Sequence, residues 1–428
     1  MTPKTNEEAK RQSRPLPPGW RWVRLNDVLT ALESGSRPRG GVQRIKEGYL
    51  SIGPEHILEF GTLDLANPRY VPKGFFNTLR KGKIKQGDVL LVKDGATTGR
   101  VALVRSELGQ SGAAINEHVF LLRPDHEIHS LYLFFALASP SGQQAIRRCY
   151  HGAAQGGITQ EFAQAVWLPL PSLLEQRTII ARLEAQMSEV QHMRQVAERQ
   201  LEAARQLRFS LVAQAMAPFS EAGGKLHEAL VSPPKSGWPL AYDNQPDGTP
   251  FLTISAILNF QYDGAQVKYT NKPVDDNADY WAKKGDILMS RSNTPDLVGH
   301  AAIYDGTPER VIFPDLLIRL EVDTICADVR FAYYWLMSPT VRSYITSNAR
   351  GSSGTMKKIT LGMVRDIPFP VHLSIEQQSA IASAIEHRVK EATRIFNAAE
   401  RQLEAINALP GALLREVFGG FEPPPDEE

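Results

Sequence analysis

A long segment from the middle of the chain occurs a second time near its end, about 200 residues further on. The two copies are Leu174–Ala217 and Ile375–Gly419. Both contain the six-residue sequence ERQLEA, at Glu198–Ala203 and at Glu400–Ala405. An identical six-mer inside a longer shared pattern indicates an internal duplication of about half the chain.

Both copies have the apolar periodicity of a helix. Apolar residues recur at spacings of three and four, which predicts two long helices that each carry a narrow apolar seam. The predicted seam residues are Ile180, Leu183, Met187, Val190, Leu201, Ile385, Val389, Phe396, Leu403 and Ile406. Two such helices most simply pair with each other, although two independent oligomerisation helices would show the same pattern, and the period does not determine their direction.

Length and composition place the chain among globular proteins. Its 428 residues allow two or more domains with their own cores. No apolar run approaches the length of a membrane span, and the polar N-terminus lacks a signal segment. Cys149 and Cys326 are the only cysteines and do not occupy matching repeat positions, so we expect neither a disulfide framework nor a cysteine metal site. We expect a cytoplasmic protein.

The regions before the two helices repeat the same order of elements. Each contains a strand that begins with Gly-Asp, at Gly87-Asp88 and Gly285-Asp286, and an apolar helix that ends at Ser-Pro, at Ser139-Pro140 and Ser338-Pro339. We therefore predict an α+β protein with two internally duplicated mixed α/β domains, each followed by a long helix. The predicted boundaries are a disordered leader at 1–15, domains at 16–172 and 219–373, long helices at 173–218 and 374–419, and an acidic tail at 420–428.

Side chains suited to DNA recur beside matched loops in both halves. The net charge is only +1, but nine basic residues and only two acidic ones lie between Arg69 and Arg105. Arginine, lysine, asparagine and glutamine are the side chains that match phosphates and base edges. The candidate DNA-binding residues are Arg37, Arg39, Arg44, Lys46, Lys93, Arg100, Arg147, Arg148, Gln155, Arg291, Asn293, Arg350, Lys357 and Lys358.

The sequence contains no convincing catalytic or metal motif. The segment Asn67–Tyr70 has arginine where an amino-methyltransferase motif has its second proline, and Asp94–Arg100 lacks the Gly-Lys-Ser/Thr ending of a P-loop. His126 and His129 lack a third metal ligand, and Pro314-Asp315 lacks the lysine of a nuclease centre. We therefore predict neither catalytic residues nor a bound metal.

Short motifs occur along both halves of the chain. In the first half they are Leu16–Trp20 with Trp22–Leu25, Gly87–Leu90 leading to Gly95–Ala102, and Leu168–Pro171 with Glu175–Arg177. Weaker versions in the second half are Gly285–Leu288 and Ile367–Pro370 with Glu376–Gln378. In this order, twice, the motifs resemble those of a specificity subunit of a type I DNA restriction-modification enzyme, and the resemblance covers nearly the whole chain. The segment Arg291–Val298 departs from the pattern, because the Gly-Ala-Thr-x-Gly run is missing there.

The resemblance implies a non-catalytic subunit with two target-recognition domains, each reading one half of a split sequence in double-stranded DNA. It implies that the long helices pair antiparallel as a spacer that sets the gap between the half-sites. The implied partners are two methyltransferase subunits, which carry S-adenosylmethionine, and motor-nuclease subunits, which use ATP and magnesium. This chain itself is expected to hold no cofactor. A specificity subunit of another DNA-modifying or phage-defence assembly, or a scaffold that binds protein instead of DNA, remain as alternatives.

Overall fold

The computed structural model describes residues 14–58, 61–105, 108, 112–152, 156–221, 223–239, 247–351 and 356–425. The chain forms two compact units. Unit 1 contains residues 1–196 and 403–428, and unit 2 contains residues 197–402. The unit boundary falls inside two helices of 44 residues each, long helix 1 (Leu173–Met216) and long helix 2 (Ile375–Phe418). The predicted domain boundaries, which were placed at the helix ends, stay predictions.

Unit 1 contains a four-stranded antiparallel sheet, a three-stranded sheet and a two-stranded ribbon. Its strands are β1 Arg21–Arg24, β2 Leu29–Ser34, β3 Tyr49–Ile52, β4 Tyr70–Val71, β5 Val89–Val92, β6 Val101–Leu103, β7 Ala113–Ile115, β8 Val119–Pro124 and β9 Trp167–Leu170. Their orders are β2-β8-β5-β6, β4-β3-β7 and β1-β9. The short helices are α1 Lys73–Thr78, α2 Ser130–Ala138, α3 Pro140–Arg148 and α4 Phe162–Ala165, with 3₁₀ turns at Leu25–Val28 and Pro54–His56.

Unit 2 is built on the same plan. Its strands are β10 Gly223–Lys225, β11 Lys235–Ser236, β12 Thr249–Leu252, β13 Val267–Thr270, β14 Ile287–Ser290, β15 Ser292–Asn293, β16 Ala301–Ile303, β17 Leu317–Leu320, β18 Lys357–Lys358 and β19 Pro368–Pro370. They form the four-stranded sheet β11-β17-β14-β16 and the pairs β10-β19, β12-β13 and β15-β18. The short helices are α5 Val329–Met337, α6 Pro339–Asn348 and α7 Leu361–Arg365, with 3₁₀ turns at Ala217–Phe219, Leu226–Ala229 and Ile254–Phe260.

The strand registers establish which residues of the two units are equivalent. In the central pair of each sheet, Val92 lies opposite Val119, and Ser290 lies opposite Leu317. At the end of the neighbouring strand, Ser34 lies opposite Phe120, and Ser236 lies opposite Ile318. The duplication therefore extends to individual residue positions in the sheets, and the predicted fold class is confirmed.

Glycine occupies one equivalent position because two backbone segments pass very close together there. A Cβ atom on Gly35 would lie 2.1 Å from the carbonyl oxygen of Ile115, and one on Gly237 would lie 2.2 Å from that of Phe313. No Cβ atom fits at such distances. These glycines bring the loop after β2 or β11 directly against the segment that leads into β8 or β17.

An aspartate follows the glycine of each Gly-Asp strand and is buried beside an arginine of the central strand. Asp88 is 1% exposed, and Arg123 donates to its two carboxylate oxygens over 2.7 and 2.8 Å. In unit 2, Asp286 is 4% exposed, and Arg319 Nε lies 3.7 Å from its Oδ2. Burial raises the pKa of Asp88, and the hydrogen bond from Arg123 opposes that rise. Each pair fixes the turn at the start of its strand.

The two long helices run antiparallel. In unit 1 the start of long helix 1 shares a core with the end of long helix 2, where Leu183 is buried with Leu414 and Val417. In unit 2 the end of long helix 1 shares a core with the start of long helix 2, where Val212 is buried with Ile385. The paired helices predicted from the repeat are confirmed, and the direction is the one that the resemblance implied.

All ten predicted seam positions are shielded from solvent. Ile180, Leu183, Val190, Ile385 and Ile406 are buried. The other five, Met187, Leu201, Val389, Phe396 and Leu403, are half-buried. A neighbouring apolar residue outside the seam, Ile395, is 52% exposed. The three-four spacing therefore distinguishes the covered face of each helix from its exposed face.

Candidate nucleic-acid interface

Polar side chains lie close together in unit 1 where three segments meet at one end of the strands of the four-stranded sheet. Ser34 ends β2, Lys93 follows β5, and Glu117 with His118 precede β8. The Lys93 amide donates to the His118 carbonyl over 3.0 Å, and its Nζ donates to Ser34 Oγ over 3.3 Å. We call Ser34, Arg37, Lys93, Asp94, Glu117 and His118 strand-end cluster 1.

Charged groups of both signs lie within contact distance in cluster 1. His118 Nδ1 is 2.6 Å from Asp94 Oδ1, and its Nε2 is 3.4 Å from Glu117 Oε1. Arg37 Nε approaches the same Glu117 oxygen to 2.6 Å. The Arg37 side chain is 57% exposed, whereas that of Glu117 is 27% exposed. Arg37 therefore lies on the solvent side of the carboxylate that it neutralises.

Cluster 1 also borders the glycine loop that precedes α4. The Ile158 amide donates to the Lys93 carbonyl over 2.8 Å. Gly157 pairs with both Asp94 and His151 through backbone bridges. A Cβ atom on Gly157 would lie 2.7 Å from the Lys93 carbonyl oxygen, so this loop is in close contact with the end of β5.

Unit 2 carries the equivalent arrangement with different side chains. Arg291 follows β14, its amide donates to the Leu316 carbonyl over 2.8 Å, and its Nη1 donates to Ser236 Oγ over 3.1 Å. The Ile359 amide donates to the Arg291 carbonyl over 2.9 Å. These bonds match those of Lys93 one by one. We call Ser236, Arg291, Ser292, Asn293, Asp315, Leu316, Arg350, Lys357 and Lys358 strand-end cluster 2.

A two-stranded ribbon brings the basic residues of cluster 2 together. Ser292 pairs with Lys358, and Asn293 pairs with Lys357. Arg350 and Lys358 then exchange two backbone hydrogen bonds, of 2.9 and 2.7 Å. Arg350 and Lys358 are exposed, and Lys357 is half-buried. The segment 291–298, which departs from the sequence pattern of the first half, thus begins with a strand that presents Asn293 beside two lysines.

At equivalent positions the two clusters differ in chemistry. His118 is replaced by Leu316, Asp94 by Ser292, His151 by Arg350 and Gly157 by Lys358. The pairs that hold the backbone, Ser34 with Lys93 and Ser236 with Arg291, keep a hydroxyl and a cation. The two units therefore present unlike surfaces on a shared frame.

The predicted DNA-binding residues fall into three groups. Arg37 and Lys93 join cluster 1, and Arg291, Asn293, Arg350, Lys357 and Lys358 join cluster 2. Arg39, Arg44 and Lys46 are exposed in the loop between β2 and β3, and Arg147 with Arg148 are exposed in the last turn of α3. Arg100 is half-buried and donates to the Ile57 carbonyl over 3.4 Å, and Gln155 lies outside the described residues.

Residue type alone did not identify Asp94, Glu117 and His118 as members of the site. Acidic side chains do not match DNA phosphates, and the segment 111–118 before β8 contains no arginine or lysine. The register of β5 and β8 places His118 beside Lys93. The signal in the sequence is positional, because all three residues adjoin strands of the repeated sheet.

Histidines and acids within the described ranges do not assemble into a group of three or more that could hold a metal ion. His126 is 92% exposed, and His129 caps α2 by accepting from the Leu131 amide. None of the helices in the described part of the chain has the length and hydropathy that a membrane span needs.

Comparison with known proteins identifies the family. The family model described as the type I restriction modification DNA specificity domain matches residues 17–198 and 235–405. The chain therefore belongs to the type I restriction-modification DNA specificity family, and its function is DNA sequence recognition.

Two curated relatives align over nearly the whole chain. The EcoKI specificity subunit of Escherichia coli (strain K12) is 20% identical over 422 residues, which cover 95% of this chain and 89% of the relative. The StySPI specificity subunit of Salmonella potsdam is 21% identical over 425 residues, with the same coverage of 95% and 89%.

A solved structure shares the fold. It is described as the structural basis underlying complex assembly and conformational transition of the type I R-M system. It aligns with a TM-score of 0.67 and 19% identity, covering 95% of this chain and 99% of that chain.

Proposed function

We propose that this chain reads a split DNA sequence, with unit 1 recognising one half-site and unit 2 the other. The observation that carries the proposal is the pair of strand-end clusters. Equivalent backbone positions hold Lys93 and Arg291 in the same hydrogen bonds, while the neighbouring side chains differ in charge and shape. A shared frame with unlike side chains suits two related ligands that are read differently.

A split target follows from the energy available to one recognition unit. A mismatched base pair costs about 1–3 kcal/mol, so one small domain discriminates only a few positions. Two units in one chain multiply that discrimination, because binding of the second half-site becomes intramolecular. We propose that the paired long helices fix the gap between the half-sites, so that the gap is part of the recognised sequence.

We assign the chemistry to partner subunits. Two methyltransferase subunits would use S-adenosylmethionine to methylate adenine, and motor-nuclease subunits would use ATP and magnesium for cleavage. The role of this chain is then to bind DNA and to select the site, with no catalytic residues and no cofactor of its own. The proposed compartment is the cytoplasm, where double-stranded DNA and these partners occur together.

A base-resolution methylome tests the proposal. A host that lacks the activity would express this chain with its methyltransferase partner, and a control strain would express the methyltransferase alone. We expect a new methylated motif with two defined halves and a constant number of undefined bases between them. Methylation that does not depend on this chain would refute the proposed role. An undivided motif would refute the assignment of one half-site to each unit.

A further inference from the structure

Glu117 has a hydrogen-bonding capacity that the described residues do not fill. Both of its carboxylate oxygens are enclosed, and neither accepts a hydrogen bond of good geometry from the described residues. Arg37 Nε lies 2.6 Å from Oε1, which is an ion-pair distance without the alignment of a hydrogen bond. An enclosed carboxylate without such bonds is costly unless a donor completes it.

Arg37 is suited to leave this carboxylate when a ligand arrives. Its side chain is 57% exposed, and ion pairs with such exposure contribute little stability. A DNA phosphate is an alternative partner for a guanidinium at this position. Movement of Arg37 toward a phosphate would uncover the Glu117 oxygens on the side that faces solvent.

The surroundings of Glu117 keep its turn in a fixed position beside Lys93. His118 Nε2 is 3.4 Å from Glu117 Oε1, and the same ring contacts Asp94 through Nδ1. The adjacent Asn116 side chain accepts from the His118 amide over 2.9 Å, which fixes the turn that carries both residues. Lys93 lies across this turn, and its backbone N–H donates a hydrogen bond to the His118 carbonyl. A carboxylate held in this way can contact a base edge, because the neighbouring cation of Lys93 reduces its repulsion from the DNA phosphates.

On the basis of the proposed DNA-reading function, we infer that Glu117 determines specificity in the first half-site by accepting a hydrogen bond from the exocyclic amino group of a cytosine. Carboxylates accept from cytosine N4 in the major groove, whereas guanine and thymine present only acceptors at the corresponding places. The equivalent position in unit 2 is Asp315, where basic residues of cluster 2 lie nearby instead of a histidine and a second acid. We assign the cytosine reading to unit 1, where the enclosed carboxylate oxygens of Glu117 lack hydrogen-bond donors among the described residues.

Two substitutions at this position test the inference in the assembled complex with the methyltransferase. Glu117→Gln keeps the shape of the side chain but offers both a donor and an acceptor, the combination that matches adenine. Glu117→Ala removes the acceptors. We expect Glu117→Gln to change one cytosine of the first half-site to adenine in the methylome, and Glu117→Ala to leave that position undefined. The second half-site stays unchanged in both variants.

Binding measurements separate base reading from a general charge effect. The probes are duplexes with the wild-type motif and derivatives in which each base pair of the first half-site is replaced in turn. Loss of a negative charge strengthens binding to all duplexes, so the informative quantity is the ratio between matched and mismatched duplexes at one salt concentration. At the position read by Glu117, we expect this ratio to fall by about 5- to 150-fold in Glu117→Ala, which corresponds to about 1–3 kcal/mol per base pair.

Two control variants make the result specific. Asp315→Asn changes the equivalent residue of unit 2 and is expected to leave the first half-site unchanged. Glu184→Gln removes an exposed carboxylate from long helix 1 and is expected to change neither half-site. An unaltered first half-site in both Glu117 variants, or equal loss at both half-sites, would overturn the inference while leaving a wild-type split motif in place. Absence of a split motif for the wild-type chain would instead refute the proposed function, and the inference with it.

Discussion

Gln176 and Gln378 occupy equivalent positions in the first turns of the two long helices and make the same three hydrogen bonds. Gln176 donates to the carbonyls of Glu127 and Pro171 and accepts from the His129 amide, over 2.8–3.0 Å. Gln378 donates to the carbonyls of Cys326 and Leu373 and accepts from the Asp328 amide, over 3.0–3.2 Å. Both side chains are almost completely buried. Each glutamine therefore fastens the start of a long helix to the turn before α2 or α5.

Substitution of either glutamine is expected to destabilise its own unit. In Gln176→Ala, two carbonyls and one amide lose their partner, and each buried group left unsatisfied costs about 1–3 kcal/mol. We expect a loss of about 2–4 kcal/mol in the free energy of unfolding of unit 1, and a similar loss in unit 2 for Gln378→Ala. Hydrogen exchange of the core strands in each unit would measure both effects. Gln200→Ala, at an exposed helix position, is the control and should change neither unit.

The buried pair of Asp88 and Arg123 provides a second stability prediction. Asp88→Ala leaves the Arg123 guanidinium without its carboxylate, and loss of one partner of a buried ion pair costs about 3–5 kcal/mol. The double variant Asp88→Ala/Arg123→Ala removes both charges and is expected to cost less than the two single changes added together. Urea unfolding of the four proteins would measure this coupling, and strictly additive losses would contradict it.

Because of His300, we expect the folded chain to lose stability in weakly acidic solution. Burial against Phe260, together with the nearby Arg342 charge, lowers the pKa of His300 from 6.5 to about 4. Well above pH 6.5 the ring is neutral in both the folded and unfolded chain. Between pH 6.5 and 4, the unfolded chain binds a proton that the folded chain does not, so folding loses about 3 kcal/mol over this interval.

Hydrogen exchange at β16, which follows His300, measures this pH dependence. We expect protection of β16 to fall between pH 6.5 and 4 in the wild-type chain by more than the intrinsic change in exchange rate accounts for. In His300→Phe, which cannot titrate, this part of the decline should be absent. The same decline in both proteins would show that another group is responsible.

The long helices offer a geometric prediction about the DNA target. Deletion of one heptad from the middle of each helix preserves the seam and shortens each helix by about 10 Å. Since base pairs are spaced by 3.4 Å along DNA, we expect the gap in the methylated motif to shorten by about three base pairs. The half-sites themselves should stay the same. A folded double-deletion variant with an unchanged gap would exclude the helices as the spacer.

Substitution of Arg37 or Arg39 tests whether the loop between β2 and β3 takes part in recognition of the first half-site. Arg37→Ala removes the cation beside Glu117, and Arg39→Ala removes an exposed cation two residues further on. We expect both changes to weaken recognition of the first half-site only, because this loop belongs to unit 1. Competition with duplexes altered in one half-site at a time would measure the effect. Equal weakening at both half-sites, or no weakening at all, would show that this loop does not read bases.

Much of the fold follows from local sequence. The three-four spacing identifies both long helices and their covered faces, because one turn of a helix places residues three and four apart on the same side. The Ser-Pro pairs mark where α2 and α5 end, and Ser139 and Ser338 then cap the helices that follow. These features depend on neighbours within a few residues. The sequence motifs Glu175-Gln176 and Glu376-Gln377 are not equivalent residue by residue. The hydrogen bonds instead make Gln176 equivalent to Gln378, one residue further on.

Only part of the candidate site could be predicted from local sequence. Basic residue type identified Lys93 and Arg291, and strand registers show that these two are equivalent. Arg100 was identified by the same criterion, its guanidinium donates to the Ile57 carbonyl over 3.4 Å, and its role in DNA binding stays a prediction. Residue type cannot report which way a side chain faces.

By itself, the sequence determined the duplication, the α+β class, the paired helices and, through its motifs, the family. All of these depend on patterns that recur along the chain. Tertiary structure decided the antiparallel direction of the helices within each unit, the burial of Asp88 with Arg123, and the meeting of Glu117, His118 and Asp94 beside Lys93. Those contacts join segments separated by tens to hundreds of residues, and they form only when strand register and core packing bring the segments together.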